Sequence, residues 1–142
     1  MRMSTQFTIS VQMLMLIMVL DDQKVTSEMI SQSSGGNPVM IRQLFGKLKQ
    51  AGILQVSTGR GATTLARSPN KISLWDIYVA VEGYHASELF QFHPKISNGC
   101  QVGRFFKDIL SVHLDESVQA MAAKLSQVSL AQLLQEWQDA NR

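Results

Sequence analysis

The chain has 142 residues, of which 45% are hydrophobic, with a formal net charge of +2 and a pI near 8.9. This length and composition predict one folded domain with an additional element, and they argue against an intrinsically disordered chain. The single cysteine, Cys100, excludes an internal disulfide and fits a reducing compartment. The apolar run from Met13 to Leu20 is too short to cross a bilayer, and Asp21 and Asp22 follow it without a cleavage site. We therefore expect a cytoplasmic protein with no membrane partner.

Two helices are predicted before the first glycine-rich break. Apolar residues recur at helical spacing over residues 5–20 and cover most of the surface, which is typical of a core helix. Thr26 is a suitable N-cap for a short helix over residues 27–33. The adjacent Gly35 and Gly36 can then supply the positive φ angles of a sharp turn.

The third predicted helix has one apolar face and one polar face. Asn37 suits its N-cap, Pro38 its first turn, and Gly52 the position after its end. Four apolar residues form a stripe that should dock on the domain: Ile41, Leu44, Phe45 and Leu48. The opposite face should point outwards and carries Val39, Gln43, Gly46 and Gln50, with Met40, Arg42, Lys47 and Lys49 on its flanks. The pattern fits a helix-turn-helix, but an ordinary helical hairpin gives the same pattern.

Positive charge is concentrated between Asn37 and Lys71. That segment has six basic residues and no acidic one, whereas the rest of the chain has seven basic against eleven acidic residues, a net −4. Two β-rich runs, residues 53–57 and 63–66, flank the turn "TGRGA" and place Arg60 at the tip of a predicted hairpin. A basic helix face beside such a wing matches the shape and charge needed to read DNA. For Arg60 alone, a plain solvated hairpin arginine is the alternative.

The C-terminal part is predicted to contain a dimerisation helix. Ser73 should cap a helix over residues 74–82, and residues 83–99 show no sustained period, so we interpret them as a hinge or functional loop. A helical pattern over residues 101–126 would be about 40 Å long, more than the small domain can bury, and a second copy is the simplest partner. Its leading apolar stripe consists of Val102, Phe105, Phe106, Ile109 and Val112. Ser129 should cap a last helix to about residue 140.

Two candidate redox- or effector-sensing residues, Cys100 and His93, lie near the start of the long helix. Cys100 follows a glycine there, and a helix N-terminus lowers a thiol pKa, which suggests a redox role; a buried small hydrophobe is the alternative. The phenylalanines of this region could line an effector pocket or pack in a core: Phe90, Phe92, Phe105 and Phe106. The histidines make no metal-binding spacing, and we find no phosphate-loop or nucleophile motif, so we expect neither a metal site nor an enzyme.

The segments "NPVMIRQLFGKLKQAGIL", "LARSPNKISLWDIYVAVEG" and "HP...C.VGR" resemble the Rrf2 family of bacterial winged-helix transcriptional regulators over nearly the whole chain. The resemblance implies a mostly α fold with a small β-hairpin wing, a winged helix-turn-helix domain over residues 1–82 and a dimerisation region over residues 83–142. It further implies a homodimer, crossed through the long helix, on a palindromic operator. The residues expected at DNA, including one flanking lysine, are Ser4, Thr5, Val39, Met40, Arg42, Gln43, Lys47, Thr58 and Arg60.

The sequence departs from the family where a cofactor would sit. Several members hold an iron–sulfur cluster on three cysteines, but here only Cys100 lies in that region, with His93 seven residues before it. One thiolate and one imidazole fall short of cluster ligation, so the chain resembles the cluster-free branch and we expect no cofactor. The expected function is DNA-binding regulation of transcription, with repression as the working hypothesis and a small-molecule or redox effector left open. The alternative is a winged-helix module that binds another protein and lacks the steep salt dependence of a DNA binder.

Overall fold

A computed structural model of the chain describes residues 5–21, 23–56, 62–83 and 89–142. Its elements in chain order are helices α1 (Gln6–Val19), α2 (Ser27–Ser34) and α3 (Pro38–Gln50), strands β1 (Leu54–Val56) and β2 (Thr63–Leu65), and helices α4 (Leu74–Glu82), α5 (Gln101–Ser126) and α6 (Leu130–Ala140). A short 3-10 turn, Pro69–Lys71, connects β2 to α4. The predicted fold class, mostly helical with one small hairpin, is confirmed.

Helix starts are set by side-chain caps at the residues that the sequence predicted. The four caps are Thr26 for α2, Asn37 for α3, Ser73 for α4 and Ser129 for α6. At α3 the backbone amide of Val39 donates to Asn37 Oδ1 over 2.8 Å. Such an oxygen satisfies an amide that has no partner inside its own helix, which fixes where each helix can begin.

The core is built around α1, which packs against α2, α3, α4, α6 and β2. Its Met13 and Leu14 side chains are fully buried, and the predicted docking stripe of α3 meets them from one side. Three members of that stripe are buried, whereas Phe45 is only partly buried against the same cluster. Gly35 and Gly52 have φ angles of 78° and 75°, so glycine supplies the left-handed conformation at the turn before α3 and just after it.

The hairpin next to α3 is antiparallel and short. Leu54 pairs with Leu65 and Val56 with Thr63, and the Ala66 amide extends the pairing by donating to the Ile53 carbonyl over 2.8 Å. Residues 57–61, which contain the predicted turn, lie outside the described residues. The described part of the hairpin, β1 and β2, begins shortly after the C-terminus of α3.

Helix α6 returns to the N-terminal part of the molecule. The Leu74 amide donates to the Val128 carbonyl and the Leu130 amide to the Ile72 carbonyl, each over 2.9 Å. Leu130 is fully buried within the main core. The predicted domain boundary at residue 82 remains a prediction. Helix α6 follows that boundary in the chain, but it contributes to the core formed by the helices before it.

Helix α5 runs without a break through residues 114–117. The exposure of α5 changes along its length. Its first three turns are largely exposed, whereas Val118 is buried. Within the described ranges, no helix is long and apolar enough to span a membrane.

Candidate nucleic-acid interface

The outward face of α3 is presented as the sequence predicted, with one correction. Arg42 and Gln43 are exposed and the Val39 side chain is 55% exposed. Met40 was expected to project with them, but it is partly buried because it packs against the main core. At the N-terminal end of the helix, the side chains free to meet another molecule are thus a β-branched apolar group, a guanidinium and an amide.

Glu28 is an acidic residue beside this face that the sequence reasoning missed. It lies in the first turn of α2 and is exposed, and it is the only acidic residue between Asp22 and Asp76. Its pKa is lowered by a hydrogen bond from its own backbone amide and by the Ser27 hydroxyl, with a smaller electrostatic contribution from Arg42. The Glu28 carboxylate therefore interacts electrostatically with the guanidinium of Arg42, which we expect at DNA. Its position as the one carboxylate in the helix that precedes α3 was a signal that could have identified it.

The Lys47 side chain is engaged within its own chain. Its ammonium donates to Gln6 Oε1 over 3.1 Å and to the Val81 carbonyl over 3.3 Å, and so links α3 to α1 and α4. These contacts are with the body of the domain rather than with the projecting end of α3. A DNA-binding role for Lys47 remains a prediction, and its ammonium already has acceptors.

The remaining residues expected at DNA lie near the N-terminus and in the wing. Thr5 is exposed before α1, where its carbonyl accepts hydrogen bonds from the Thr8 hydroxyl and the Ile9 amide. Ser4, Thr58 and Arg60 lie outside the described residues. Their roles at the backbone or minor groove therefore remain predictions.

An exposed apolar stripe runs along the first three turns of α5. It is the predicted dimerisation set, with exposed fractions of 70% for Val102, 56% for Phe105, 41% for Phe106, 64% for Ile109 and 54% for Val112. Phe106 also contacts the Phe92 ring edge-on, with centroids 6.0 Å apart. Five neighbouring large apolar side chains exposed on one helix typically mark an interaction surface.

Cys100 occupies the N-cap position of α5 and is exposed. The interpretation of Cys100 as a buried small hydrophobe is therefore wrong for this chain. The thiol pKa is lowered by the Gly103 and Val102 backbone amides in the first turn of α5, because their partial positive charge favours the thiolate. The redox role remains a hypothesis.

The described donor atoms do not fit an iron–sulfur cluster. Cys100 is the only cysteine of the sequence, and His93 Nδ1 accepts a hydrogen bond from the Lys95 backbone amide over 3.1 Å. Across the part of the chain that the structure describes, no three His, Cys, Asp or Glu side chains are grouped to hold a metal ion. Iron–sulfur clusters are held mainly by several thiolates, and one cysteine with one histidine does not supply such a ligand set.

A cavity of about 380 Å³ lies between the loop before α5 and one side of that helix. Its lining includes Phe90, Phe92, Lys107 and Leu114, and the Lys107 ammonium lies 5.9 Å from the centre of the Phe92 ring. Two of the four predicted phenylalanines thus line a cavity, while Phe105 and Phe106 belong to the exposed stripe. An effector remains a prediction.

Comparison with known proteins agrees with this geometry. The model of the Rrf2 family, described as an iron-dependent transcriptional regulator, matches residues 3–136. YwnA of Bacillus subtilis (strain 168), named as a candidate HTH-type transcriptional regulator, is 30% identical over 131 residues, which cover 92% of this chain and 96% of YwnA. The family and YwnA are both described as regulators, not as enzymes, which agrees with the absence of catalytic motifs from the sequence.

Two solved structures share the fold at lower sequence identity. IscR of T. potens has a TM-score of 0.72 and 21% identity over 100% of this chain and 92% of that one. CymR, the global cysteine regulator of B. subtilis, has a TM-score of 0.63 and 19% identity over 95% of this chain and 97% of that one. The helix-turn-helix, the hairpin and the family match together make this chain a member of the Rrf2 family of DNA-binding, winged-helix transcriptional regulators.

Proposed function

We propose that the protein acts as a homodimer that reads a palindromic operator with α3 and represses transcription by occupying it. The observation that carries the proposal is the outward face of α3, where Val39, Arg42 and Gln43 are exposed on a segment rich in positive charge. Repression is the simplest consequence of a bound dimer, because occupied promoter DNA is closed to other proteins.

The chemistry of these three side chains suits direct readout in the major groove. An arginine can donate two hydrogen bonds to guanine, a glutamine can pair with adenine in the same bidentate way, and a valine can contact the methyl group of thymine. Each good bidentate pair contributes about 1–3 kcal/mol of discrimination against the wrong base. Arg42 and Gln43 are therefore the residues expected to set sequence preference.

The apolar stripe of α5 supports the dimer. A helix of 26 residues spans about 39 Å, and its first three turns present the stripe away from the home domain. Pairing two copies of the same stripe about a two-fold axis would bury both. Two α3 helices related by that axis match half-sites separated by about one turn of DNA, which gives a palindromic operator.

Selection of bound sequences from random duplex DNA tests the proposal. The wild-type protein and Arg42→Ala are compared, with Lys124→Ala in the last turn of α5 as a control that removes one exposed positive charge elsewhere. We expect the wild type and the control to select the same palindrome, and Arg42→Ala to lose preference at one position of each half-site by about 1–3 kcal/mol. The same selected sequences from Arg42→Ala and wild type would contradict the assignment of the reading face.

An effector could act through the segment between α4 and α5. Cys100 is the N-cap residue of α5, and the 380 Å³ cavity lies against the same helix. Oxidation of the thiol or filling of the cavity would therefore act on the helix that sets the distance between the two α3 helices of the dimer. Repeating the selected-operator titration with and without hydrogen peroxide tests the redox form of this idea. An unchanged affinity after quantitative oxidation of Cys100 would exclude it.

A further inference from the structure

Gly46 is a helical glycine for which the described part of the fold gives no reason. It lies in the interior of α3, and a Cβ added to it would meet no atom of the described residues within 4 Å apart from its chain neighbours and its own helix backbone. Its φ angle is not positive, so the backbone there does not require glycine. Glycine weakens a helix interior relative to alanine, so the sequence carries an unfavourable residue at a position where alanine would fit.

Five of the other glycines within the described ranges have internal explanations. Gly35, Gly52 and Gly83 have positive φ angles. A Cβ on Gly36 would lie 3.1 Å from Ile9 Cδ1, and one on Gly103 would overlap the backbone carbonyl oxygen of a neighbouring loop residue. Gly99 has neither feature, but it lies in a turn outside the regular elements, where glycine does not weaken a helix. Gly46 is thus the helical glycine whose missing side chain has no explanation among the described residues.

The surroundings of Gly46 indicate what that molecule is. Residues three and four positions away on a helix are its surface neighbours, and for Gly46 they are Arg42, Gln43, Lys49 and Gln50. All four are exposed, two are cationic and two carry amides. A bare patch of backbone framed by such groups complements a polyanion that also offers hydrogen-bonding edges, which describes duplex DNA.

We propose that Gly46 determines operator specificity by letting the α3 backbone approach the sugar–phosphate wall of the major groove closely enough for Arg42 and Gln43 to reach base edges. This inference rests on the proposed DNA-reading function. It adds a residue whose backbone contacts DNA because it has no side chain. A methyl group at this position would hold the helix away from the groove wall. Base contacts at the N-terminal end of α3 would then be stretched, while looser contacts with phosphates would persist.

The test is a graded series in the full chain, Gly46→Ala and Gly46→Leu, titrated by fluorescence anisotropy. The probes are the operator selected by the wild type and a scrambled duplex of the same length. We expect Gly46→Ala to weaken operator binding about tenfold or more and Gly46→Leu to weaken it further, with less than about a threefold change for the scrambled duplex. We expect the melting temperature of Gly46→Ala to rise by a few degrees, because alanine favours the helix.

A matched control separates binding from stability. Ala123 is an exposed residue in the interior of α5, so Ala123→Gly should lower the melting temperature without changing operator affinity. The double variant Gly46→Ala/Ala123→Gly should melt near the wild-type temperature and still show the loss of operator affinity.

Operator binding by Gly46→Ala within twofold of wild type, or tighter, would overturn the inference while leaving the proposed function intact. A wild-type protein that selects no sequence at all would overturn both.

Discussion

Substitution of Ile109 by alanine tests the dimer interface at the centre of the exposed stripe on α5. The Ile109 side chain is 64% exposed in the single chain and has room to be covered by a partner. Full burial of an isoleucine stabilises by about 1.5–3 kcal/mol, so covering the exposed part contributes about 1–2 kcal/mol in each subunit. A two-fold interface contains the residue twice, and Ile109→Ala should therefore cost the dimer about 2–4 kcal/mol.

This loss corresponds to a dimer dissociation constant raised roughly 30- to 700-fold. Sedimentation equilibrium over a range of concentrations measures the constant directly. Val79→Ala is the matched control, because Val79 is an exposed valine, 39% accessible, on α4 and outside the stripe. The control should dimerise as the wild type does. An unchanged constant for Ile109→Ala would refute the assignment of this face to the dimer.

Three further predictions concern single side chains. In the native protein, alkylation of Cys100 by iodoacetamide should follow a pH profile with its midpoint below that of the urea-unfolded chain, because the helix amides lower the thiol pKa only when α5 is formed; coincident profiles would contradict this. Lys47→Met should lower the free energy of unfolding by about 1 kcal/mol, measured by urea denaturation, because the Val81 carbonyl loses its donor; unchanged stability would show that this bond contributes nothing. Glu28→Gln should tighten binding to a scrambled duplex a few-fold, roughly, since a charge that attracts Arg42 and repels phosphate is removed; weaker binding would instead give Glu28 a positioning role.

The local features of the fold could be predicted because their causes are local. Asn37 caps α3 with an oxygen that reaches an amide two residues away, and the same short-range logic places Ser73 and Ser129. The faces of α3 follow from the helical period, which puts Ile41 inside and Gln43 outside whatever the rest of the chain does.

The features that the sequence analysis missed depend on distant parts of the chain. Met40 lies at the edge of the apolar stripe, so whether it is exposed depends on how the core packs against α3. The hydrogen bond from Lys47 requires the carbonyl of Val81, 34 residues away in the sequence, to lie next to the ammonium. The burial of Leu130 requires α6 to return to the 3-10 turn and α1, a placement that no periodic pattern encodes.

The most direct test of the account is a titration of the wild-type protein with its selected operator and with a scrambled duplex at several salt concentrations. If the exposed face of α3 reads DNA, the logarithm of affinity should fall linearly and steeply with the logarithm of salt, and the operator should bind at least about a thousandfold tighter than the scrambled duplex. In the same titration Arg42→Ala should lose part of that preference. Equal affinity for the two duplexes, with little dependence on salt, would show that α3 does not read DNA.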